Sequence, residues 1–335
     1  MSRRPVPRPT RRADVSRRWV PWAEATRSAL YGHGGFYHRP EGPAGHFRTS
    51  VHASPVFASA VLSLLEDVDA ALGRPDRLDL VDVGAGRGEL LRGLSELLAD
   101  RPGLAARTRL HAVELAERPT DLPEAISWSA ELPERSVGLL VANEWLDNVP
   151  LDVVEAGPDG PRRVLVDPAS GDESPGGPVG LRDAGWLARW WPLDGADEGD
   201  RAEVGFPRDV MWAGAVRSLE RGLAVAIDYG HLRSDRAAGV YARGTLTGYR
   251  GGRLVPPVPD GSCDLTSHVA MDACAAAGTR AGAETVVLSR QADALRALGV
   301  DEGAAELMDP DGLGGFWWLC QSVGAPLPHQ LRRFV

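Results

Sequence analysis

The chain has 335 residues, of which 43% are hydrophobic, so it is long enough to bury one large core or two smaller ones. Its formal net charge of −9 argues against a protein whose main task is to coat nucleic acid, because that task requires a basic face. The sequence contains no lysine, which excludes Schiff-base chemistry and a P-loop lysine.

The first 18 residues are basic and rich in proline. Seven arginines face a single acid, Asp14, and prolines stand between them. We interpret residues 1–18 as a disordered basic arm rather than as a tether for an acidic partner. The arginines are Arg3, Arg4, Arg8, Arg11, Arg12, Arg17 and Arg18.

The rest of the composition predicts a cytoplasmic protein that does not cross a membrane. No secretion signal follows the basic arm, and no apolar run reaches the roughly 18 residues of a membrane span. Cys263, Cys274 and Cys320 are odd in number and lack CxxC spacing. They fit a reducing compartment and indicate neither a disulfide framework nor a structural zinc site.

Residues 19–75 predict N-terminal helices joined by a lid loop. The polar, glycine-rich stretch from Tyr31 to Pro55 separates two helical patterns. The second pattern runs from Val56 to Leu72, with Ser54 and Pro55 as its N-cap and first-turn pair. A loop this long inside a compact domain is usually functional or mobile.

Residues 76–335 predict an α/β domain with a parallel sheet. A buried strand at Leu78–Val83 precedes a helix at Glu89–Leu98, and alternating strands and helices predict such a sheet. Further strands are predicted at 110–113, 137–142, 222–230, 283–290 and 315–323, with a helix at 291–298.

An insertion is expected at about residues 151–200. Residues 151–166 predict a β-hairpin around Pro158, Asp159 and Gly160, and residues 167–180 predict a surface loop. A short helix at 181–191 places Trp186 and Trp190 on one face, where core packing is the favoured role over ligand contact.

Three glycines follow the first predicted strand, in the sequence Asp82-Val83-Gly84-Ala85-Gly86-Arg87-Gly88. Glu89 stands where a dinucleotide fingerprint has its third glycine, and an acid there would face a pyrophosphate. The pattern of an acid followed by G-x-G-x-G instead indicates S-adenosylmethionine (SAM), whose methionyl and ribose portions the glycines let the backbone approach. Asp82 could order the turn and meet the ligand's ammonium.

A second acid, Glu114, ends the next predicted strand, where a carboxylate can accept both ribose hydroxyls. An ordinary strand-to-helix turn with a surface glutamate is the alternative. Each signal is weak alone, and the two together favour SAM.

A cluster of polar side chains follows the strand at 137–142. Asn143, Glu144, Asp147 and Asn148 are expected in the same crevice as the glycine turn, because ligands of open α/β sheets bind beyond the carboxyl ends of the strands. Glu144 and Asp147 could grip an arginine acceptor in fork geometry and take its proton, with Asp228 nearby. The alternative is that Asn143 and Asp147 only cap the following helix.

Seven segments occur in the order seen in the MidA-like SAM-dependent methyltransferases, a family that includes the mitochondrial complex I assembly-factor arginine methyltransferases. The chain resembles that family from about Tyr31 to Val300. The resemblance implies a class I methyltransferase fold, a Rossmann-like mixed sheet flanked by helices, with an N-terminal helical lid and inserted hairpin and helix elements over the acceptor site. The segments span residues 34–57, 81–91, 142–154, 226–231, 244–252, 264–269 and 289–300.

Carried over to this chain, the resemblance implies SAM contacts in the glycine turn and at Glu114. It implies cleft roles for Gly35, Tyr37, Thr49, Asn143, Glu144, Asp147, Asp228, Tyr229 and Gly230. Our cofactor-binding candidates are Asp82, Gly84, Gly86, Gly88, Glu114, Ser129, Gly35 and Thr49, and our catalytic candidates are Glu144, Asp147, Asp228 and Asn143. No metal site is expected.

The chain departs from the family pattern at two acids of the lid, which are His46 and His52 here. This departure puts the family's protein substrate in doubt. His33, His38, His46 and His52 match no zinc spacing, so an incidental surface role is favoured over metal binding. Alternatively, His46 or His52 could act as a general base for a hydroxyl or carboxyl acceptor.

The sequence therefore predicts a SAM-dependent methyltransferase that acts on a protein arginine. A small-molecule O- or N-methyltransferase and a non-catalytic assembly factor are the alternatives. No nucleic acid or membrane partner is expected, and the sequence does not settle the oligomeric state.

Overall fold

The computed structural model describes residues 18–38, 49–301 and 303–335. The basic arm lies outside the described residues except for Arg18, and so does His46. The strands are β1 (Val20–Pro21), β2 (Leu78–Val83), β3 (Thr108–Val113), β4 (Ile126–Ser129), β5 (Ser136–Asn143), β6 (Val153–Gly157), β7 (Gly160–Val166), β8 (Glu173–Pro178), β9 (Arg201–Glu203), β10 (Leu219–Asp228), β11 (Gly230–His231), β12 (Thr247–Arg250), β13 (Arg253–Val255), β14 (Asp264–Thr266), β15 (Val269–Ala270), β16 (Thr285–Arg290) and β17 (Trp317–Val323).

The helices flank these strands, and α3 (Pro55–Ala71) begins where the capping residues of the sequence predict. Ser54 accepts a hydrogen bond from the N–H of Val56, and Pro55 is the first residue of the helix, as predicted. The helices are α1 (Trp22–Tyr31), α2 (Ser50–Ala53), α3 (Pro55–Ala71), α4 (Glu89–Leu98), α5 (Pro102–Ala105), α6 (Leu181–Trp190), α7 (Phe206–Ser218), α8 (Arg233–Ala237), α9 (Met271–Arg280), α10 (Gln291–Ala297) and α11 (Ala305–Met308).

The central sheet has seven strands in the order β16-β17-β10-β5-β2-β3-β4. Strands β4, β3, β2, β5 and β10 run parallel, and β17 runs antiparallel between β10 and β16. The predicted α/β class and mixed, Rossmann-like sheet are confirmed. The antiparallel β17 is a feature that the strand-by-strand reading of the sequence did not show.

Helices cover both faces of this sheet, so its central strands β2, β5 and β10 are buried along most of their length. All six residues of β2 are buried. Leu80 packs with α3 and α4 on one face, whereas Val81 packs with α7 and α9 on the other, as the two-residue period of a strand requires. This packing fixes the carboxyl ends of β2, β3 and β5, where the site forms.

A second sheet is built from β1, β7, β6 and β9, with β8 paired to β7. The predicted hairpin is confirmed, since β6 and β7 pair antiparallel and meet at Gly157 and Gly160. The predicted surface loop at 167–180 is wrong for residues 173–178, which form β8. Backbone pairing to β7 makes this proline-containing segment an edge strand, a position that tolerates proline.

Helix α6 packs on the second sheet through Trp186, which is 5% exposed, in the core role expected for it. Two short sheets, β11-β15 and β13-β12-β14, follow β10. The proposed division of the chain at residues 18, 75 and 151–200 stays a prediction. Within the described part of the chain, no helix combines the length and apolarity needed to cross a bilayer.

Candidate functional site

A cavity of about 1570 Å³ opens at the carboxyl ends of β2, β3 and β5. The glycine turn forms one side, the segment after β5 forms another, and residues of α2 and α7 complete the wall. The position is the one expected for ligands of an open α/β sheet. The cavity exceeds the roughly 300–1,000 Å³ of a typical small-molecule site, so it has room for a cofactor and an acceptor together.

The glycine turn needs its glycines for backbone conformation. Gly84, Gly86 and Gly88 have φ of 74°, 59° and 81°, in the left-handed region. A Cβ on Gly84 would lie 2.8 Å from Cδ1 of Trp145. Gly84 and Gly86 line the cavity, whereas Gly88 caps α4 and packs toward Leu122, away from the wall.

Glu114 is held at the end of β3 by backbone donors. Its Oε2 accepts from the N–H of Gly86 at 3.0 Å, and its Oε1 accepts from Leu115 at 2.7 Å and Ala116 at 3.0 Å. The carboxylate lines the cavity and is fixed in orientation. The structure therefore brings the two sequence signals, glycine turn and second acid, into one contact.

Asp82 adds to the negative charge on this side of the cavity. It is 4% exposed, and burial together with the nearby Glu89 and Glu114 raises its pKa to about 8. A cation bound here would favour the deprotonated carboxylate.

Glu144 follows β5 with an unusual backbone, since its φ is 50°. Its N–H donates to the carbonyl of Ile227, which anchors this conformation. Strain of this kind costs on the order of 1–3 kcal/mol and clusters at active sites. Oε1 accepts from the N–H of Ser50 and from Nδ2 of Asn143, while desolvation and the charge of Asp147 raise the pKa of Glu144 to about 8.

Asp147 lines the cavity, and its carboxylate is held through one oxygen. Oδ2 accepts from Tyr229 at 2.5 Å and from Thr266 at 2.6 Å. Oδ1 is buried and has no hydrogen-bond partner among the described residues. Desolvation raises the pKa of this carboxyl. The hydrogen bonds from Thr266 and Tyr229 counteract the rise, and so does the guanidinium of Arg208, which donates to the Asp147 carbonyl.

The comparisons with known proteins agree with this geometry. Residues 62–289, more than half of the chain, match the model of the family described as "Putative S-adenosyl-L-methionine-dependent methyltransferase". The chain belongs to this family. The enzyme is a SAM-dependent methyltransferase, and its cofactor is SAM.

Two solved structures from Burkholderia thailandensis resemble the methyltransferase. One is described as a "likely methyl transferase" bound to S-adenosyl-homocysteine; it has 25% identity and a TM-score of 0.80, covering 93% of this chain and 90% of its own. The other, an uncharacterized protein of the same superfamily, has 26% identity and a TM-score of 0.78, with the same coverage. The search among curated proteins gave no match.

The residues of the methyltransferase fit its cofactor. The acids Asp82, Glu89 and Glu114 around the glycine turn match the positive sulfonium and ammonium of SAM. Gly84 and Gly86 bring left-handed backbone to the cavity wall, and Glu114 offers Oε2 of its carboxylate to a ribose hydroxyl. These residues would hold the cofactor.

Four of the twelve catalytic and cofactor-binding candidates lie off the cavity wall, and so do Tyr229 and Gly230, to which the resemblance gave cleft roles. Asp228 lies beneath the turn after β5, where Oδ2 accepts from the N–H groups of Leu146 and Asp147, so it positions that turn. Gly35 lies against α1, since its Cβ would be 2.7 Å from the carbonyl oxygen of Leu30. Ser129 caps a turn at Glu131, and its carbonyl accepts from Glu114. Gly88 is the fourth.

The lid residues join the two sides of the site. Thr49 lines the cavity and contacts Nδ1 of His52 at 2.8 Å, and Nε2 of His52 lies 3.3 Å from Glu89. This contact helps to lower the pKa of Glu89. His33 and His38 also line the cavity. Among the residues that the structure describes, no group of three or more histidines, cysteines and acids is arranged to hold a metal ion.

Sequence reasoning missed Arg208, Thr266 and Asp264. Arg208 is 2% exposed on α7 and donates to the carbonyls of Asp147, Ser267 and His268. Asp264 accepts from Asn148 and Tyr37. The family resemblance included the segment Asp264–Val269, which contains Asp264 and Thr266. No sequence pattern in α7 indicated a role for Arg208.

Proposed function

We propose that this methyltransferase acts on the guanidinium group of an arginine in a protein substrate, with Glu144, Asp147 and Asn143 binding that group. The observation that carries the proposal is the pair of buried acceptor oxygens, Asn143 Oδ1 and Asp147 Oδ1. Both residues line the cavity, and neither oxygen has a partner among the described residues. Buried acceptors without partners are costly, and a guanidinium supplies several N–H donors in one plane.

SAM supplies an electrophilic methyl group on a positively charged sulfur. The residues of the chain would orient the acceptor, which is the main contribution to such a displacement. Oε2 of Glu144, Oδ1 of Asp147 and Oδ1 of Asn143 would each accept an N–H of the guanidinium. The remaining carboxylate oxygens already accept bonds from Ser50 and Asn143 in one case, and from Tyr229 and Thr266 in the other.

Methylation of a guanidinium releases a proton, and Glu144 is suited to receive it. Its pKa is raised to about 8, so near neutral pH the carboxyl can bind a proton that an ordinary glutamate would not hold. The bound guanidinium charge keeps the carboxylate deprotonated until the methyl group has been transferred. We therefore assign Glu144 as proton acceptor and Asp147 as the group that orients the acceptor.

One observation favours a small-molecule O-methyltransferase as the second candidate. His52 lies on the cavity wall between Thr49 and Glu89, in the arrangement of a base oriented by a carboxylate. Ser50, in the same short helix, contacts Glu144. His46, the other proposed base, lies outside the described residues.

The test is methyl transfer from labelled SAM to cell proteins and, separately, to a metabolite extract. We expect methylarginine in a protein by mass spectrometry, and its loss in Glu144→Gln and Asp147→Asn. Glu96→Gln, an exposed carboxylate on α4, is the matched control and should keep wild-type activity. Label in a hydroxyl or carboxyl metabolite, lost in His52→Ala, would support the second candidate instead.

The MidA-like assignment and a cytoplasmic location remain part of the proposal. Two segments of the resemblance contribute to the site. One provides Glu144 and Asp147, which line the cavity, and another provides Tyr229, which donates to Asp147. Cys263, Cys274 and Cys320 are buried free thiols, in keeping with a reducing compartment. The family model and the complex with S-adenosyl-homocysteine support an enzyme over a non-catalytic assembly factor.

A further inference from the structure

An apolar rim borders the acceptor side of the cavity. It consists of Phe206, Pro207, Val210 and Met211 on α7, which line the cavity, and of Leu181 on α6, which precedes the lining residue Arg182. Leu181 is 95% exposed, Val210 48% and Met211 43%. A group of large apolar side chains exposed to solvent often marks an interaction site, whereas single exposed apolar residues are common on protein surfaces.

The α7 residues of the apolar rim belong to the cavity wall, and Arg182 connects Leu181 to them. Phe206, Pro207, Val210 and Met211 line the cavity, as does Arg182, whose guanidinium lies 4.7 Å from the centre of the Phe206 ring. Trp186 of α6 donates to Asp209 of α7 at 2.9 Å, which fixes the two helices to each other. The rim is therefore held rigidly.

The same helix joins the rim to the acceptor residues. Arg208 lies between Pro207 and Val210 in the sequence and donates to the Asp147 carbonyl at 2.7 Å. The cofactor residues, by contrast, lie at the ends of β2 and β3. Leu115, 62% exposed, follows Glu114 and belongs to that cofactor side. Cofactor binding therefore explains why Leu115 is exposed. It does not explain the exposure of the apolar rim.

We propose that the apolar rim docks the segment of the protein substrate next to its target arginine, through a large apolar side chain close to that arginine in the sequence. This inference rests on the proposed function. The acidic wall formed by Glu144 and Asp147 receives the cation, while the rim, whose α7 residues line the same cavity, receives the apolar neighbour. The preferred sequence thus pairs an arginine with a leucine-like residue rather than with a small polar one.

The experiment compares two synthetic peptides that each contain one arginine, flanked by leucines in one and by serines in the other. With tritiated SAM, we expect the leucine peptide to have a KM at least about tenfold lower for the wild-type enzyme. Leu181→Ser should raise that KM toward the value of the serine peptide and leave turnover of the serine peptide unchanged. Met211→Gln should also weaken the preference, and Val240→Ser, at an exposed residue away from the cavity wall, should not.

The outcomes separate this proposal from the one it rests on. If both peptides are methylated with equal KM, the docking proposal is wrong and the arginine proposal stands. If neither peptide is methylated while a metabolite is, both proposals fall. A wild-type dimer that Leu181→Ser converts to a monomer in sedimentation would show that a second copy covers the rim, which also overturns the docking proposal.

Discussion

The backbone N–H of Gly86 donates to Oε2 of Glu114 over 3.0 Å, so the turn after β2 is bonded directly to the acid that ends β3. Two further N–H groups, of Leu115 and Ala116, hold the other carboxylate oxygen. A carboxylate offers about four acceptor sites, and these three donors leave one of them, on Oε2, for a ligand. The acid is thus oriented before a ligand arrives.

Replacement of Glu114 should therefore weaken cofactor binding. We expect Glu114→Ala to lower the affinity for SAM by about 1–3 kcal/mol, because the ribose diol would lose its partner and the Gly86 N–H its acceptor. Isothermal titration calorimetry measures the change. Glu124→Ala, at an exposed acid that does not line the cavity, is the control and should bind SAM like the wild type. Unchanged affinity in Glu114→Ala would remove Glu114 from the cofactor site.

Tyr229 supports the acceptor carboxylate, so its hydroxyl should affect turnover rather than cofactor binding. In Tyr229→Phe, Oδ2 of Asp147 keeps only the Thr266 donor. Loss of a hydrogen bond to a charged group, about 1.5 kcal/mol, corresponds to a kcat about tenfold lower. Steady-state kinetics and calorimetry with S-adenosylhomocysteine separate the two effects.

The control for this variant is Tyr241→Phe, because Tyr241 also packs against His268. It should keep the wild-type kcat. Equal kcat in Tyr229→Phe and the wild type would show that Thr266 alone positions Asp147.

The local part of the site could be predicted from the sequence. The glycine turn, Glu114 and the segment Asn143–Asp147 each follow a strand that is recognisable by its apolar run, and the carboxyl ends of parallel strands meet at one edge. Their common location followed from this rule, and the structure places them around one cavity.

The residues that hold the site from distant parts of the chain could not be predicted in the same way. Arg208 and Thr266 reach Asp147 from segments 61 and 119 residues away in the sequence, and no local pattern encodes such contacts. Asp228 was expected in the cleft, yet it binds backbone N–H groups beneath it. Position at a strand end shows that a side chain is near the crevice, whereas contacts decide whether it faces the ligand.

Gly84 should be intolerant of any side chain, and Gly73 provides a matched comparison. Both have positive φ, 74° and 80°, so alanine at either position carries the same backbone strain, of about 1–2 kcal/mol. At Gly84 the new Cβ would also lie 2.8 Å from Trp145, whereas nothing lies within 4 Å at Gly73. We expect both variants to lose thermal stability, and only Gly84→Ala to lose SAM affinity.

Thermal unfolding and calorimetry on the two variants provide the measurement. Gly84→Ala could fail to fold, so it is also made on a Trp145→Ala background, where the 2.8 Å contact is absent. There Gly84→Ala should cost less stability, measured against Trp145→Ala alone, than it costs in the wild type. Full SAM affinity in Gly84→Ala would contradict the assignment of this turn to the cofactor.

The stability of the ligand-free protein should fall as the pH rises, because the cavity holds carboxyls with raised pKa. Asp82 and Glu144 have a pKa of about 8, against about 4 for such groups in an unfolded chain. The folded protein binds these protons more tightly, so the stability they contribute is complete below about pH 4 and is lost as the pH rises toward 8. Asp79, whose pKa is lowered to about 2, acts in the opposite direction but at more acidic pH.

Differential scanning calorimetry between pH 5 and pH 8.5 tests this expectation. The double variant Asp82→Asn/Glu144→Gln should show a smaller fall in Tm with pH than the wild type, since its two amides do not titrate. Glu96→Gln, which removes an exposed carboxylate, should follow the wild-type slope. Parallel slopes for the double variant and the wild type would mean that these two carboxyls are already ionised in the folded protein, and Glu144 would then be a poor proton acceptor.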